Sequence, residues 1–356
     1  MTRRFAGTFA GMLALILGAV ATFNYVVDPL QFYRISRLYP PRFFPSMERH
    51  QNAGLARNYA DDVIVVGTSV VQNFLPSHIW KSWGRHATKL SMAGSTAHEQ
   101  FLVTDAALSA GRVKTVLWAL DEPAFGRPGN AVRDDQAPFP FHMYRKIGPN
   151  IEYLLSFSSL RLSILAIGGA GIGNLDQYEV WYDQHEFGEK AVLKSWPGTC
   201  AAFRSKYVPL AAATPPALLE QLHRSLDENV VRLVRAYPDV TFEIFLPPLA
   251  TLRYVPTSAP YLDRFLAFRT AVASALLRYP NVHLRDFQTI PWIVDDLTNF
   301  KDLNHFGLGI SDYIIDAVRD DRDRLRPGDI AGANQTLIDL VNRYDLCRDG
   351  RPEIGN

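Results

Sequence analysis

Four consecutive β-branched apolar residues, Val63-Ile64-Val65-Val66, lie between the acids Asp61-Asp62 and Gly67. A run this short and this uniformly apolar reads as a strand buried on both faces, the kind found at the centre of a parallel sheet. That reading constrains the fold more than any other stretch, because parallel neighbours need crossover connections, usually helices. It also places Gly67-Thr68-Ser69 at the strand's carboxyl end, the edge where open α/β sheets bind their ligands. Gly67 lets the chain turn sharply and leaves the Ser69 hydroxyl uncrowded. The plainer role for Ser69 is a turn or N-cap residue.

The strand–helix rhythm recurs along the chain. Lys89-Leu90-Ser91-Met92 reads as a second strand, and Thr115 to Leu120 as a third. Thr96 and Glu99 have capping-box spacing, which predicts a helix through Phe101, Leu102, Ala106 and Leu108 to Gly111. Gly94 then stands just before a helix N-terminus, a place suited to developing negative charge. Leu218, Leu222, Leu226, Val230 and Val234 repeat every four residues, predicting a helix that ends near Tyr237-Pro238. Strands follow at Thr241 to Leu246 and Val282 to Phe287, with a helix between them on Tyr261, Phe265, Phe268, Val272 and Leu276. A last helix starts around Phe306 and runs to Val318. Alternation of this kind predicts an α/β fold with a parallel sheet.

The organisation expected from these signals is a stub at 1–4, an apolar segment at 5–27 and a connector at 28–60. An α/β domain at 61–326 follows, with an aromatic-rich insertion at 127–210 and a tail at 327–356. The connector, rich in proline and aromatic residues, is expected to be irregular. The insertion, with Phe139, Phe141, Tyr144, Trp181, Tyr182 and Trp196, reads as a lid beside the site. Its glycines at 168–173 follow no strand and carry no lysine, which argues against a phosphate loop. Arg319 to Arg326 reads as a solvated surface.

Phe5 to Val27 contains no charged residue and is long enough to cross a hydrocarbon core of about 30 Å as a helix. Arg3 and Arg4 before it predict a cytoplasmic N-terminus with the remainder outside. Cleavage after Ala19-Val20-Ala21 is the alternative, though the apolar run continues beyond it through Phe23, Tyr25 and Val27. Thirty-seven basic against thirty-six acidic residues leave a formal charge of +1, so no bulk field favours nucleic acid. Cys200 and Cys347 match no metal or redox spacing; in an exported chain a disulfide between them is permitted but not implied.

The chemistry-bearing residues lie far apart in sequence. Asp302 and His305, three apart, can hold one imidazole tautomer with the other ring nitrogen free to take a proton. A serine hydroxyl needs such a base to become a nucleophile. Ser69, His305 and Asp302 make one complete set, with Thr68, Asp121, His98 and Asn304 as candidate lining residues. His78, His86, His185 and His283 are isolated, and no grouping has metal-ligand spacing. A carboxylate pair drawn from Asp295, Asp296 and Asp302 is the weaker alternative.

Gly67-Thr68-Ser69, Gly94 after the second strand, and Asp302-Leu303-Asn304-His305 near the end resemble, in order and placement, the SGNH (GDSL-like) hydrolase superfamily over roughly Asp61 to Val318. The resemblance implies a three-layer α/β/α, flavodoxin-like domain, with Ser69 as nucleophile, His305 as base, Asp302 as its partner and the Ser69 and Gly94 amides as oxyanion donors. It implies no cofactor. Threonine stands at position 68 where the family has aspartate. Ala119-Leu120-Asp121-Glu122 stands where the family has Gly-x-Asn-Asp, so a third oxyanion donor is missing or comes from elsewhere. Membrane-anchored relatives of the DltD-like and alginate-acetylation-like kinds imply a bacterial inner-membrane protein with its domain in the periplasm. The implied partners are an acylated envelope polysaccharide and a membrane acyl-donor protein. The alternative is a non-catalytic glycan-binding or scaffold component of a polysaccharide synthesis or export complex.

Overall fold

The computed structural model describes residues 2–133, 138–145, 148, 150–180, 186–195, 215–254 and 261–344. Trp181, Tyr182, His185, Trp196, Cys200 and Cys347 lie outside them. Six strands form one sheet: β1 Val63–Val66, β2 Ala87–Lys89, β3 Thr115–Ala119, β4 Thr241–Leu246, β5 Val282–Asp286 and β6 Arg324–Leu325. Their order is β2-β1-β3-β4-β5-β6, parallel except for β6, which pairs antiparallel to β5 through Leu284 with Leu325. The mixed sheet therefore carries one reversed strand at its edge. β2 is shorter and earlier than the sequence suggests, and beyond it the Leu90 amide still donates to the Val65 carbonyl and the Met92 amide to the Gly67 carbonyl.

The alternation of β1 explains its composition. Ile64 and Val66 point to one apolar cluster with Val116, Trp118, Phe242 and Ile244, while Val63 and Val65 point to another with Leu117, Ala119 and Phe245. All four β1 side chains are fully buried, each contributing about 1.5–3 kcal/mol from removal of apolar surface from water. The first face is covered by helices α2 (Glu48–Asn58), α4 (Ala97–Ser109), α7 (Pro216–Leu226) and α8 (Tyr261–Leu276). On the second face lie α3 (Pro76–Trp83) and α9 (Leu308–Arg319).

Three local sequences explain their helices. The predicted capping box is present: Thr96 Oγ1 accepts from the Glu99 amide at 3.2 Å, and Glu99 Oε2 accepts from the Thr96 amide at 3.0 Å. The strict four-residue repeat after Leu218 outruns the 3.6-residue α-helical turn. A π-type turn at Asp227–Val231 absorbs the difference before helix resumes at Arg232–Ala236, so Leu222, Leu226, Val230 and Val234 are all buried. In α9, Ile310, Ile314, Ile315 and Val318 form one buried stripe.

Two expectations need correction. The connector is not irregular throughout, because 48–58 form α2, whose Gln51, Asn52, Ala53 and Leu55 are fully buried. The proline-rich approach hid a helix with a low apolar content. The second is at the tail, where Ile330–Arg343 form α10, which sets Leu337, Leu340 and Val341 into the fold, the first and last against Leu249, Tyr254 and Phe265.

At the N-terminus, α1 (Thr2–Val27) is long and apolar enough to cross a membrane. Its last turns pack on two short helices of the insertion, α5 (Ile151–Leu155) and α6 (Phe157–Ile167). Asn24 Nδ2 donates to the Leu154 carbonyl at 2.8 Å, and Ser163 Oγ donates to Asn24 Oδ1 at 2.9 Å. Directly after α1, Asp28 adopts a left-handed backbone with φ 49°. Its carboxylate accepts from the amides of Phe32, Tyr33 and Arg34 and from the Tyr153 hydroxyl at 2.8–3.0 Å.

Candidate functional site

The strand order reverses direction between β1 and β3, and this switch point opens a crevice at the carboxyl ends of the two strands. Gly67 ends β1 with φ 157°, a conformation nearly confined to glycine. A Cβ there would stand 3.1 Å from Val71 and 3.2 Å from Ala119. Thr68 is extended and Ser69 opens a 3₁₀ turn over Ser69–Val71, so the Ser69 amide is among those without an acceptor inside the turn.

The second half of the site comes from the loop after β5. Phe300 and Phe306 pair as an antiparallel bridge, and the Lys301 amide donates to the His305 carbonyl at 3.0 Å, closing a tight loop. Within it Asp302 Oδ1 accepts from the amides of Asn304 at 2.8 Å and His305 at 2.9 Å. The Asp302 carboxylate also faces the ring, with Oδ2 2.7 Å from His305 Nδ1. On the other side of the ring, Nε2 is 2.7 Å from Ser69 Oγ. A carboxylate acceptor at Nδ1 places the ring proton there, leaving Nε2 as acceptor for the serine proton. Thus a relay spanning 236 positions of sequence is assembled in the resting protein.

Ser69, Gly94, Asp121, Asn304 and His305 all line one cleft of about 350 Å³, together with Thr68. Arg127 and Arg133 line it too, and sequence reasoning missed both. Their signal was weak, two cations inside a segment without periodicity. Gly94 has φ +57°, and the Arg133 guanidinium passes so close that a Cβ at Gly94 would collide with Nη1. His98 stands apart from the cleft. Placed one position into α4, it is 3.2 Å from Asn229 Oδ1 through Nδ1 and stacks on Phe101, so its role is in helix packing and not in lining the site.

Two aspartates here titrate in opposite directions. Burial pushes the Asp302 carboxyl up, but the His305 hydrogen bond and charge and the two loop amides outweigh it, holding the group below the usual carboxylate range. Asp121 is pushed up to about 7 by burial, against a smaller lowering by the Thr68 hydroxyl. Thr68 Oγ1 donates to Asp121 Oδ2 at 3.0 Å, while Oδ1 is buried and accepts nothing from another described residue.

Behind the dyad a second cleft of about 400 Å³ is lined by Ser46, Ser69, Gln72, Glu179, Lys301 and His305. The insertion reaches the site here through Gln177 to Val180; its helices α5 and α6 wrap α1 instead of forming a lid. Burial, together with Glu48, raises Glu179 to about 7, and burial lowers Lys89 to about 7. A larger cavity of about 490 Å³ beside Arg57, Asp105 and Tyr144 contains neither Ser69 nor His305. Among the described residues no three His, Cys, Asp or Glu side chains group as metal ligands. No protein-family model matches the chain, and no curated protein matches it significantly.

Proposed function

We propose that the chain is a membrane-tethered serine esterase or O-acyltransferase of the SGNH type, working outside the cytoplasm on acyl groups, acetyl foremost, of envelope polysaccharide. The observation that carries this reading is the continuous relay from Ser69 Oγ through His305 to Asp302. The 2-1-3-4-5 order of the parallel strands, with helices on both faces, supports a flavodoxin-like three-layer domain of the kind the resemblance implies. The relay's position at the strand switch point agrees with it.

In this reading Ser69 Oγ attacks the acyl carbonyl as His305 Nε2 takes its proton, and Asp302 steadies the imidazolium. The C–O bond to the leaving alcohol breaks, and His305 returns the proton to that oxygen. Water or a sugar hydroxyl then attacks the acyl-serine, giving its proton to His305, and the Ser69 oxygen leaves as His305 hands that proton to it. The developing oxyanion meets the amides of Ser69 and Gly94. Asp121 supplies the third donor: below about pH 7 it is neutral, and a neutral carboxylic acid can donate where a carboxylate cannot. Arg127 and Arg133 hold the polar remainder of the substrate.

A fluorophosphonate probe is expected to label the wild-type protein and to leave Ser69→Ala and His305→Ala unlabelled. Labelling that survives Ser69→Ala defeats the mechanism. Full function of Ser69→Ala in cells lacking the native protein would favour the non-catalytic, glycan-binding reading.

A further inference from the structure

The insertion carries an exposed apolar face beside α1. α5 and α6 form a hairpin whose inner side, including Tyr153, Leu154, Leu162, Leu165 and Ala166, packs with Phe23 and Val27 of α1. Among the described residues little covers the outer side of the hairpin: Phe157 is 80% exposed, Ile151 65%, Ile164 60% and Ile167 56%. Charged residues in 150–167 are Glu152 and Arg161 alone. Such a surface on one short hairpin exceeds the scattered apolar exposure that is ordinary for a soluble face.

Its height along α1 says what covers it. If the hydrocarbon begins at Phe5, just past Arg3 and Arg4, a helix rising about 1.5 Å per residue crosses about 30 Å in about 20 residues. It emerges near Asn24, the residue that bonds both α5 and α6. The hairpin therefore sits at the outer boundary between acyl chains and headgroups. Tyr25 and Val26 at the same end of α1 are exposed too. Nearby lie Tyr25 and Tyr33, ring centroids 5.1 Å apart, residue types suited to an interface. Arg161 falls between Phe157 and Ile164 on the exposed face, a place from which an arginine stem can lie along apolar surface while its guanidinium reaches for phosphate. Glu152 is exposed as well, its carboxylate 3.0 Å from His142 Nδ1.

We propose that the α5–α6 hairpin embeds its outer face, Ile151, Phe157, Ile164 and Ile167, in the outer leaflet beside the anchor, so that the protein is held at the membrane by one spanning helix and one interfacial wedge. This rests on the reading of α1 as a retained membrane-spanning anchor, and the test separates the two.

Full-length protein with Cys200→Ser and Cys347→Ser is reconstituted in phosphatidylcholine–phosphatidylglycerol vesicles. It carries a single nitroxide on Leu15→Cys, Phe157→Cys, Ile164→Cys or Trp80→Cys, the last an exposed position on α3. Collision with oxygen, which concentrates in hydrocarbon, is compared by spin resonance with collision by a water-soluble nickel chelate. Positions 15, 157 and 164 are expected to favour oxygen and position 80 to favour nickel, a reversal of the ratio. If 15 favours oxygen while 157 and 164 behave like 80, the wedge is overturned and the anchor stands. If 157 and 164 are shielded from both reagents, another protein covers the face and the wedge is again overturned. If 15 also favours nickel, anchor and wedge both fall. Retained fluorophosphonate labelling at Ser69 reports that each variant is folded.

Discussion

Two aspartates, Asp121 lining the cleft and Asp302 behind the His305 ring, show how surroundings, and not residue type, assign a chemical role. Asp302 lies in a loop that aims two amides and an imidazole at its carboxylate, and it is held ionised. Asp121 follows a fully buried strand, receives one hydroxyl and is pushed up to about 7. Burial raises both, Asp121 the more deeply; at Asp302 the His305 hydrogen bond and charge and the two amides outweigh it. In the proposed mechanism the first is an orienting anion and the second a neutral donor, and the two cannot exchange roles.

The sharpest way to break this contrast is Asp302→Asn. An amide presents a donor to Nδ1 and favours the wrong tautomer, so kcat on an acetyl ester is expected to fall by about 10⁴. A loss below tenfold would show that the loop amides alone orient the ring. Next comes Asp121→Ala, expected to lower kcat by about 10²–10³, as removal of one oxyanion donor does. Asp121→Asn, by contrast, should keep most activity because the amide donates at every pH.

A finer test is the pH profile. Wild-type kcat should decline above about pH 7 as Asp121 ionises, and that alkaline limb should vanish in Asp121→Asn while the acid limb remains. A limb that persists in the variant assigns it to another group. The same carboxyl bears on stability, with a definite sign. Its folded pKa lies above its unfolded value, so its contribution is full below about pH 4 and is lost as pH rises through about 7. Calorimetry should find wild type losing about 4 kcal/mol relative to Asp121→Asn between those limits, at about 1.4 kcal/mol per pKa unit. The smallest effect belongs to Thr68→Val. Losing a hydrogen bond worth about 0.5–1.5 kcal/mol should move the alkaline limb upward by about half to one unit.

Much of this was legible in residue order. β1 could be read because four β-branched residues serve a strand with two buried faces, and α4 because its cap is local. Ser69, Asp302 and His305 could be singled out because a strand end and a three-residue spacing are sequence properties. The contribution of Asp121 could not be read, since an aspartate in a string looks ionised; only burial beside Thr68 changes that. Arg127 and Arg133 were hidden for a similar reason, as no periodicity ties a loop cation to a glycine some forty positions earlier. α2 was concealed by its own polarity. Gln51 and Asn52 are buried through bonds to the Leu30 and Ser91 carbonyls, which no apolar stripe announces.

The knot at Asp28 has a mechanical consequence. Three amides and a tyrosine hydroxyl converge on one carboxylate immediately after α1, where many tethered proteins have a slack leash. With α1 spanning the membrane as proposed, any lean of that helix would tip the globular part with it and hold Ser69 at a fixed altitude above the lipid. Under the proposed activity, strands growing from the membrane would be modified only while they thread past that altitude.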